Sequence, residues 1–522
     1  MKNKLSNYIN NVIFPCFILS VFIGVLTGIL IFIFKICSSK IIHLSQDIYT
    51  YVRVNPKFIP LLILGSILLG FLSSFILKRA KDCRGGGIPT AIVAIRGIVP
   101  LKWVQGIFAL FASAMITYLG GVPLGNEGPS VQMGTAVGKG TVDLSCKKKK
   151  YALDRYGMTG GACAGFATAL RAPLSGIMFA LEEAHRSFSP TIFIVAAVSV
   201  LSASFTQECL SRIFGFDIAF FHFEINEVLP LKNIWAAVII GAFCGIVAII
   251  FTKFYRHFWK IRHEKLKKIP FSAAVISVFC VTAILGFINE DFIGSGHSLI
   301  EKIFEMETVW YVLIAALLIR ALMMIFANNE GITGGLFVPT LVFGAIIANL
   351  ISSVIIKIGL VDVKFYPLLI AIGMSSYLAA SSRTPITAIT FAAEALCGVG
   401  NILSVGVGVL MAYIIIELSE TPAYTDTVIE AKIYSAHKGI KPTIVNKNMV
   451  VQKGSFAVGK EIRDILWPNR CIVFFVKKND PTMFNNFTIL HEGDELNVNY
   501  KTYYPEETEK RLLQLLGDGT EN

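Results

Sequence analysis

The chain has 522 residues, of which 54% are hydrophobic and only 16% carry a charge, and its mean hydropathy is +0.65. This composition excludes a soluble globular protein and predicts an all-α polytopic membrane protein. The formal net charge of +12 does not require a nucleic-acid partner, because basic residues cluster where apolar segments end, at 78–81, 147–150 and 256–268. Such loops mark the cytoplasmic side, so we expect a multi-pass plasma-membrane protein with both termini in the cytoplasm.

Apolar segments follow one another along most of the chain. The first, 12–34, is long enough to span a bilayer and lacks a small-residue cleavage site, so we predict a retained helix and not a signal peptide. Further spans are predicted at 58–77, 103–119, 191–205, 234–254, 271–288, 309–326, 337–356, 366–380, 384–396 and 402–416. Several are too short to cross a core of about 30 Å upright, which predicts tilted or broken helices.

An acidic residue lies among glycines and a proline in residues 125–129 (Gly-Asn-Glu-Gly-Pro). A carboxylate at bilayer depth is costly unless it faces water, a partner or a transported ion, so Glu127 is a candidate functional residue. Pro129 suits the first turn of a helix, and the glycines allow backbone N–H groups to approach a small anion. We therefore predict an anion pathway with a protonatable gate. The alternative is that Glu127 caps a helix outside the membrane.

The chain contains an internal repeat. Residues 171–182 match residues 383–394 at an offset of 212, with Arg, Pro, Ile, Phe, Ala and Glu in register, and two glycine-containing matches follow the same order at offsets of 210 and 209. They predict two related halves, 58–200 and 271–416, with the substrate site where interrupted helices of both halves converge. The sequence leaves their relative orientation open, although the basic loop at 147–150 favours inverted halves.

The character of the sequence changes at about residue 431, where charged residues become frequent. Short runs at 449–451, 471–476 and 495–499 have the composition of strands and are separated by glycine-containing turns. We predict a membrane domain over 1–435 and a small cytoplasmic α/β domain over 440–505.

Three glycine-proline loops, 85–89 (Gly-Gly-Gly-Ile-Pro), 125–129 and 335–339 (Gly-Leu-Phe-Val-Pro), occur in this order. They resemble the signature loops of the CLC family of chloride channels and anion/proton exchangers, and the resemblance covers about residues 10–435. It implies a homodimer with one pore per subunit, inverted halves, and helix N-termini directed at a dehydrated anion. The expected partners are chloride or another halide, protons and membrane lipid.

The resemblance implies roles for individual positions. Glu127 matches the gating glutamate, which takes a proton and competes with the anion for the helix N-termini. Glu183 matches the internal proton-transfer glutamate of the exchangers; a solvated helix end beside His185 is the alternative. Tyr424 matches the tyrosine whose hydroxyl contacts the central anion, while the sequence alone fits an interfacial anchor equally well. The remaining implied anion-binding positions are Gly86, Gly87, Ile88, Gly128, Leu336 and Phe337.

Two departures from the family pattern bear on anion selectivity. The first loop usually carries a serine whose hydroxyl binds chloride, and this sequence has Gly86 there. Glu330, three residues before Thr333, stands where small or hydroxylated residues are usual, and we take these two as selectivity candidates. The departures resemble the fluoride-exporting branch, whereas residues 181–190 resemble ordinary chloride/proton exchangers. We expect proton-coupled chloride exchange, with a fluoride/proton antiporter or a passive voltage-gated chloride channel as alternatives.

The C-terminal region resembles the TrkA-C (RCK-C) domain of regulators of potassium conductance over about residues 448–499. The resemblance implies dimerisation or regulation by a small-molecule ligand, for which no binding residue can be named.

Two other function classes were weighed. Residues 182–185 contain the E-x-x-H spacing of di-iron bundles, but a second such motif is missing, so we do not expect an enzyme. A cation transporter could use Glu127, Glu330 and Glu394 as ligands, but helix N-termini repel cations. The ten cysteines are scattered without a CxxC pair, which predicts buried thiols and no cofactor or metal.

Overall fold

The computed structural model describes residues 14–85, 87–145, 150–216, 220–221, 223, 225–437, 440–477 and 487–517. In these ranges the chain forms eighteen α-helices and three strands. Their bounds are α1 Phe14–Val54, α2 Ile59–Arg79, α3 Ile88–Ile95, α4 Trp103–Leu119, α5 Glu127–Ser145, α6 Lys150–Leu170, α7 Pro173–Phe179, α8 Pro190–Phe214, α9 Ile234–Glu264, α10 Phe271–Ile288, α11 His297–Phe304, α12 Trp310–Asn329, α13 Phe337–Lys357, α14 Tyr366–Ser382, α15 Pro385–Ala395, α16 Ile402–Leu418, α17 Tyr424–Ala436, β1 Thr443–Val450, β2 Cys471–Lys477, β3 Glu495–Thr502 and α18 Pro505–Leu516.

The helices include both long spans and short pieces. Within the described residues, nine helical segments are long and apolar enough to cross a membrane, which confirms the polytopic prediction. α3, α7 and α15 have only eight, seven and eleven residues, and each begins with a proline in its first turn. A proline fits that position because its missing N–H would be unpaired there in any case. The predicted broken helices are therefore present.

The first helix is longer than the sequence pattern predicted. α1 has 41 residues, or about 60 Å of helix, whereas the apolar run suggested a span ending at residue 34. The helix continues past the apolar run because its next residues contain no proline or glycine before Asn55-Pro56. A hydropathy boundary therefore does not mark the end of this helix.

The Gly- and Ala-rich stretch at 157–181 is divided between two helices. α6 ends at Leu170 and α7 begins at Pro173, and between them Arg171 has a left-handed backbone (φ 55°). The repeat-related Arg383 (φ 58°) separates α14 from α15 in the same way. Small residues allow α5 and α6 to lie close together. A Cβ on Gly134 of α5 would lie only 2.1 Å from the carbonyl oxygen of Gly161 on α6.

The two halves exchange equivalent contacts. The Glu182 carboxylate, just after α7, accepts hydrogen bonds from the N–H groups of Ile386 (2.9 Å) and Thr387 (2.7 Å) at the start of α15. Glu394, near the end of α15, accepts bonds from the N–H groups of Leu174 (2.7 Å) and Ser175 (2.9 Å) at the start of α7. Each short helix thus caps the N-terminus of the other, so the two run antiparallel. This reciprocity is what a two-fold relation between inverted halves requires.

A second pair of equivalent contacts joins the halves at their loops. The Gly85 N–H donates to the Gly331 carbonyl at 2.6 Å, and the Gly294 N–H donates to the Gly121 carbonyl at 2.7 Å. Gly85 and Gly294 are 209 residues apart, and Gly121 and Gly331 are 210 apart. The internal repeat detected in the sequence therefore corresponds to the symmetry of the fold.

The C-terminal region contains a three-stranded antiparallel sheet in the order β1-β3-β2, as the predicted α/β character required. It contacts the membrane part through Arg155, which is 5% exposed and donates to the carbonyls of Leu466 (2.6 Å) and Trp467 (2.7 Å). The Ser189 hydroxyl bonds the Asp464 carboxylate at 2.7 Å. Arg155 lies near the N-terminus of α6. We call the side of the membrane part that carries these contacts the domain face.

Candidate functional site

The three glycine-proline loops meet at one point inside the membrane part. Gly125 and Gly335 form an isolated antiparallel bridge, with N–O distances of 2.8 and 2.6 Å. A Cβ on Gly128 would lie 2.7 Å from the Gly335 Cα and 2.9 Å from the Gly87 Cα. Only glycine at position 128 allows this approach, and it brings together the beginnings of α3, α5 and α13. Aligned N–H groups and helix dipoles make such a junction favourable for negative charge.

Gln132 fixes the first loop to the second. Its side-chain oxygen accepts a hydrogen bond from the Gly87 N–H at 3.0 Å, and its side-chain nitrogen donates to the Asp82 carbonyl at 3.0 Å. The residue is completely buried on α5. Gln132 was not among the predicted site residues, although a glutamine within a glycine-rich helix was a signal that could have been followed.

Glu127 is the first residue of α5 and is completely buried. Neither of its carboxylate oxygens has a hydrogen-bond partner among the described residues. The backbone N–H groups of Glu127 and of Val338 on α13 face the carboxylate, without reaching hydrogen-bond geometry. This position does not fit a cap on a helix outside the membrane. A carboxylate, or an anion in its place, would be held there by the dipoles of both halves.

A polar cavity of about 600 Å³, the vestibule, lies on one side of this junction. Its lining includes Lys35, Asn126, Ala169 and His297. The Lys35 ammonium donates to the carbonyl of Ala169, near the end of α6, at 3.2 Å. Ala169 and Arg155 are fourteen residues apart on this helix, a rise of about 21 Å, so the vestibule opens opposite the domain face. Lys35 is a cation of this entrance that the sequence analysis missed.

A second, smaller cavity of about 30 Å³, the central cavity, lies beyond the junction. A volume of that size suffices for a guest about as large as one water molecule. The wall includes five residues that the sequence analysis named as site residues: Ile88, Glu183, Leu336, Phe337 and Tyr424. They come from both halves and from α17, and the fold brings them to one place.

Tyr424 is completely buried at the start of α17. Its ring packs edge-on against Phe251 and Tyr255, with ring centroids 5.1 and 4.8 Å away. Its hydroxyl has no hydrogen-bond partner in the part of the chain that the structure describes. Complete burial does not fit an interfacial anchor, and the unpaired hydroxyl leaves a donor available to a guest.

Glu183 lies in a π-helical turn, Ala180–Ala184, directly after α7. It is 6% exposed, which does not fit a solvated helix end, and one carboxylate oxygen has no partner among the described residues. The turn is held by Arg96, which donates to the carbonyls of Glu183 and Ala184 at 2.9 Å each. Single π turns of this kind occur frequently at functional sites.

Five of the predicted positions that the structure describes line neither cavity: Glu127, Gly87 and Gly128 belong to the loop junction, and Glu330 and Thr333 have other partners. Gly86 lies outside the described residues. Glu330 forms an ion pair with Arg262 of α9, with one N–O distance of 3.0 Å, and does not line either cavity. The Thr333 hydroxyl is buried between the Ser113 hydroxyl (2.9 Å) and the Cys83 carbonyl (3.3 Å).

The described part of the chain contains no candidate metal site. Within the described ranges, His, Cys, Asp and Glu side chains form no group of three or more that could hold a metal ion. The described cysteines are free thiols.

Comparison with solved structures gives three similar chains. A slow cyanobacterial Cl⁻/H⁺ antiporter has a TM-score of 0.72 at 22% identity, over 81% of this chain and 99% of that one. A eukaryotic CLC transporter has a TM-score of 0.64 at 17% identity, over 85% and 77%. A CLC-type fluoride/proton antiporter has a TM-score of 0.64 at 20% identity, over 79% and 97%. At these identities the similarity establishes the shared fold.

The family assignment comes from the sequence itself. Residues 69–417, more than half of the chain, match the family model described as the voltage-gated chloride channel. This region contains the three glycine-proline loops, both repeat halves from α3 to α16, and Glu127. The chain therefore belongs to the voltage-gated chloride channel (CLC) family of anion-transporting membrane proteins.

Proposed function

We propose that this protein exchanges chloride for protons across the plasma membrane, with Glu127 as the group that couples the two movements. The observation that carries the proposal is the buried carboxylate at the junction of α5 and α13, which has no hydrogen-bond partner in the described part of the chain. Because chloride and an ionised carboxylate are attracted to the same N–H groups, they exclude each other there. Protonation removes the charge of Glu127 and leaves the position to the anion. Proton uptake and anion passage are thereby made dependent on each other.

The anion path runs from the vestibule past Glu127 to the central cavity and on to the domain face. Phe337 and Leu336 contribute the beginning of α13, Ile88 the beginning of α3, and Tyr424 a free hydroxyl. Backbone N–H groups suit a weakly basic halide, because they offer partial charge without the desolvation cost of a full cation. Gly87 and Gly128 allow the loops to approach the anion closely.

The proton path requires a relay from the domain face, and we assign that role to Glu183. It is buried in the wall of the central cavity, and a water or anion there would lie between it and the junction. A passive channel needs no such inner carboxylate. The position of Glu183 therefore favours an exchanger over a voltage-gated chloride channel.

Fluoride/proton antiport is the second candidate, favoured by the absence of a side chain at Gly86. The structure gives Glu330 and Thr333 other partners, Arg262 for the former and Ser113 for the latter. This arrangement supports a structural role for both residues, and we rank chloride first.

We further propose that the chain forms a homodimer with both termini in the cytoplasm. The C-terminal region, 440–505, is proposed as a regulatory domain of the TrkA-C type for a small-molecule ligand. Its contacts with Arg155 and Ser189 would place such a ligand's effect at the domain face of the pore.

Purified protein in liposomes tests the exchange mechanism. Chloride, fluoride and proton fluxes are measured side by side under a chloride gradient. We expect Glu127→Gln to retain anion flux and lose proton movement, and Glu183→Gln to lose proton movement as well. Glu301→Gln, a carboxylate of the vestibule lining, is the matched control and should keep the wild-type ratio of the two fluxes. Unchanged coupling in Glu127→Gln would reject the assigned gate, and potassium flux without anion flux would reject anion transport.

A further inference from the structure

The central cavity has several hydroxyl groups in its wall, and most of them already donate to the protein. The Thr340 hydroxyl donates to the Phe337 carbonyl at 2.6 Å, and the Ser381 hydroxyl to the Leu378 carbonyl at 3.0 Å. The Thr387 hydroxyl donates to the Glu182 carboxylate at 2.7 Å. None of these three protons is available to a guest without breaking a bond.

Two more hydroxyls of the wall pair with each other. Ser382 donates to the Leu378 carbonyl at 2.8 Å and lies 2.5 Å from the Thr384 hydroxyl, which can then donate to Ser382. The first loop adds no hydroxyl, because residue 86 is glycine. The supply of free side-chain donors in this cavity is therefore small.

Thr425 is the exception, together with Tyr424. Both line the cavity, and the oxygen of each hydroxyl is buried without a hydrogen-bond partner among the described residues. They are the first two residues of α17, whose preceding residue Ala423 provides no side-chain cap. The N-terminus of this helix thus presents uncapped N–H groups and two free hydroxyls in the same place.

An unpaired buried hydroxyl costs free energy that is recovered when it finds an acceptor. An anion in the cavity is such an acceptor, and the dipole of the thirteen-residue α17 favours it at this end. A neutral guest would gain the hydrogen bonds but not the dipole interaction. The two observations together point to an anion as the guest that satisfies Thr425.

We propose that the Thr425 hydroxyl donates a hydrogen bond to the transported anion in the central cavity, and that it supplies the side-chain donor that Gly86 cannot. The proposal rests on the proposed function, anion transport through this cavity, and adds a residue that sets anion affinity. Thr425 and Tyr424 then hold the anion from α17 while Phe337 and Ile88 hold it from the two halves.

Chloride binding to the purified full-length protein in detergent, measured by isothermal titration calorimetry, tests this assignment. Thr425→Val removes the hydroxyl and keeps the shape, and we expect about five- to tenfold weaker binding, the effect of one lost hydrogen bond. Thr425→Ser should restore the affinity to within about twofold, because it keeps the donor. Fluoride is titrated in parallel.

Thr427→Val is the matched control. Thr427 lies two residues further along α17, is buried, and gives its hydroxyl proton to the Ala423 carbonyl at 3.1 Å, away from the cavity wall. We expect chloride affinity in this variant to equal that of the wild type. Size-exclusion profiles report folding, and Thr425→Ala replaces the valine variant if the latter is not recovered.

The outcomes separate the possible roles. Wild-type affinity in Thr425→Val overturns the proposal, and if proton transport falls in the same variant the hydroxyl serves the proton path beside Glu183. Equal losses in Thr425→Val and Thr425→Ser indicate packing and also overturn it. If the wild-type protein binds neither chloride nor fluoride, the proposed function fails first and the inference falls with it.

Discussion

The reciprocal caps between α7 and α15 permit a quantitative test of the two-fold architecture. Glu182 accepts three hydrogen bonds, from two backbone N–H groups and the Thr387 hydroxyl, and Glu394 accepts two. Glutamine retains one acceptor oxygen and turns an NH₂ group toward a second donor. Loss of a charged cap costs about 1–2 kcal/mol. We expect Glu394→Gln to cost about 1 kcal/mol and Glu182→Gln about 2 kcal/mol.

The assay is equilibrium unfolding of the purified variants in mixed micelles, with the double variant included. Because both caps join the same helix pair, loss of one should loosen the geometry of the other. We therefore expect the sum of the two single-variant costs in unfolding free energy to differ from the cost of the double variant by at least about 0.5 kcal/mol, the coupling seen for groups in one network. Glu208→Gln serves as the control, since the ion pairs of Glu208 within the described residues are with the exposed Arg171 and Arg212.

Two outcomes would contradict a coupled pair of caps. Wild-type stability in both single variants would mean that the carboxylates do not hold α7 and α15 together. Strictly additive costs would mean that the two caps stabilise the protein independently. The exchange of caps between α7 and α15 would then add nothing to the free energy of unfolding.

Two further predictions concern the loop junction and the domain face. Gly128→Ala should lower stability by about 2 kcal/mol and abolish chloride binding, because its methyl group would overlap two backbones; Gly65→Ala, which meets open space on α2, should be neutral. Equal behaviour of the two would reject the close junction. Arg155→Leu leaves the buried carbonyls of Ile95 and Leu466 and the partly buried carbonyl of Trp467 without their donor, and should cost about 3 kcal/mol. Faster proteolysis after residue 437 would report the released domain, and an unchanged rate would contradict the docking.

The family assignment indicates that the transported substrate is an anion, whereas the mechanism of transport depends on the chain's own residues. We propose that the dipoles of α5 and α13 select negative charge and that the buried Glu127 makes this selection dependent on protons. The side-chain donors that remain in the central cavity come from α17. Anion affinity in this protein is therefore expected to respond to changes at the start of α17 more than to changes in the first loop.

Several features could be predicted from the sequence because they depend on local composition. Long apolar runs indicated the spans, and the glycine-proline loop at 125–129 indicated the start of a helix. The repeat at offsets of 209 to 212 indicated two halves because equivalent positions carry equivalent residues. The predicted end of the first span did not mark the end of α1. Hydropathy indicates contact with lipid, whereas a helix continues into water until a residue such as Pro56 stops it.

Other features depend on partners that are far apart in the chain. Glu182 and Glu394 were visible as matching residues, but their partners lie 204 to 220 residues away. Glu330 was an acid of unknown partner until the structure paired it with Arg262. The residues next to a side chain in the sequence do not indicate which distant group will form a hydrogen bond or an ion pair with it.

Composition, periodicity and the internal repeat were enough to predict a membrane protein of two related halves with an acid at a helix N-terminus. The folded structure adds that three loops touch at Gly128, and that Glu127, Tyr424 and Thr425 have side-chain oxygens without a hydrogen-bond partner among the described residues. The physical reason is that hydrophobicity and backbone preference act locally, whereas burial and hydrogen-bond satisfaction are properties of the assembled helices.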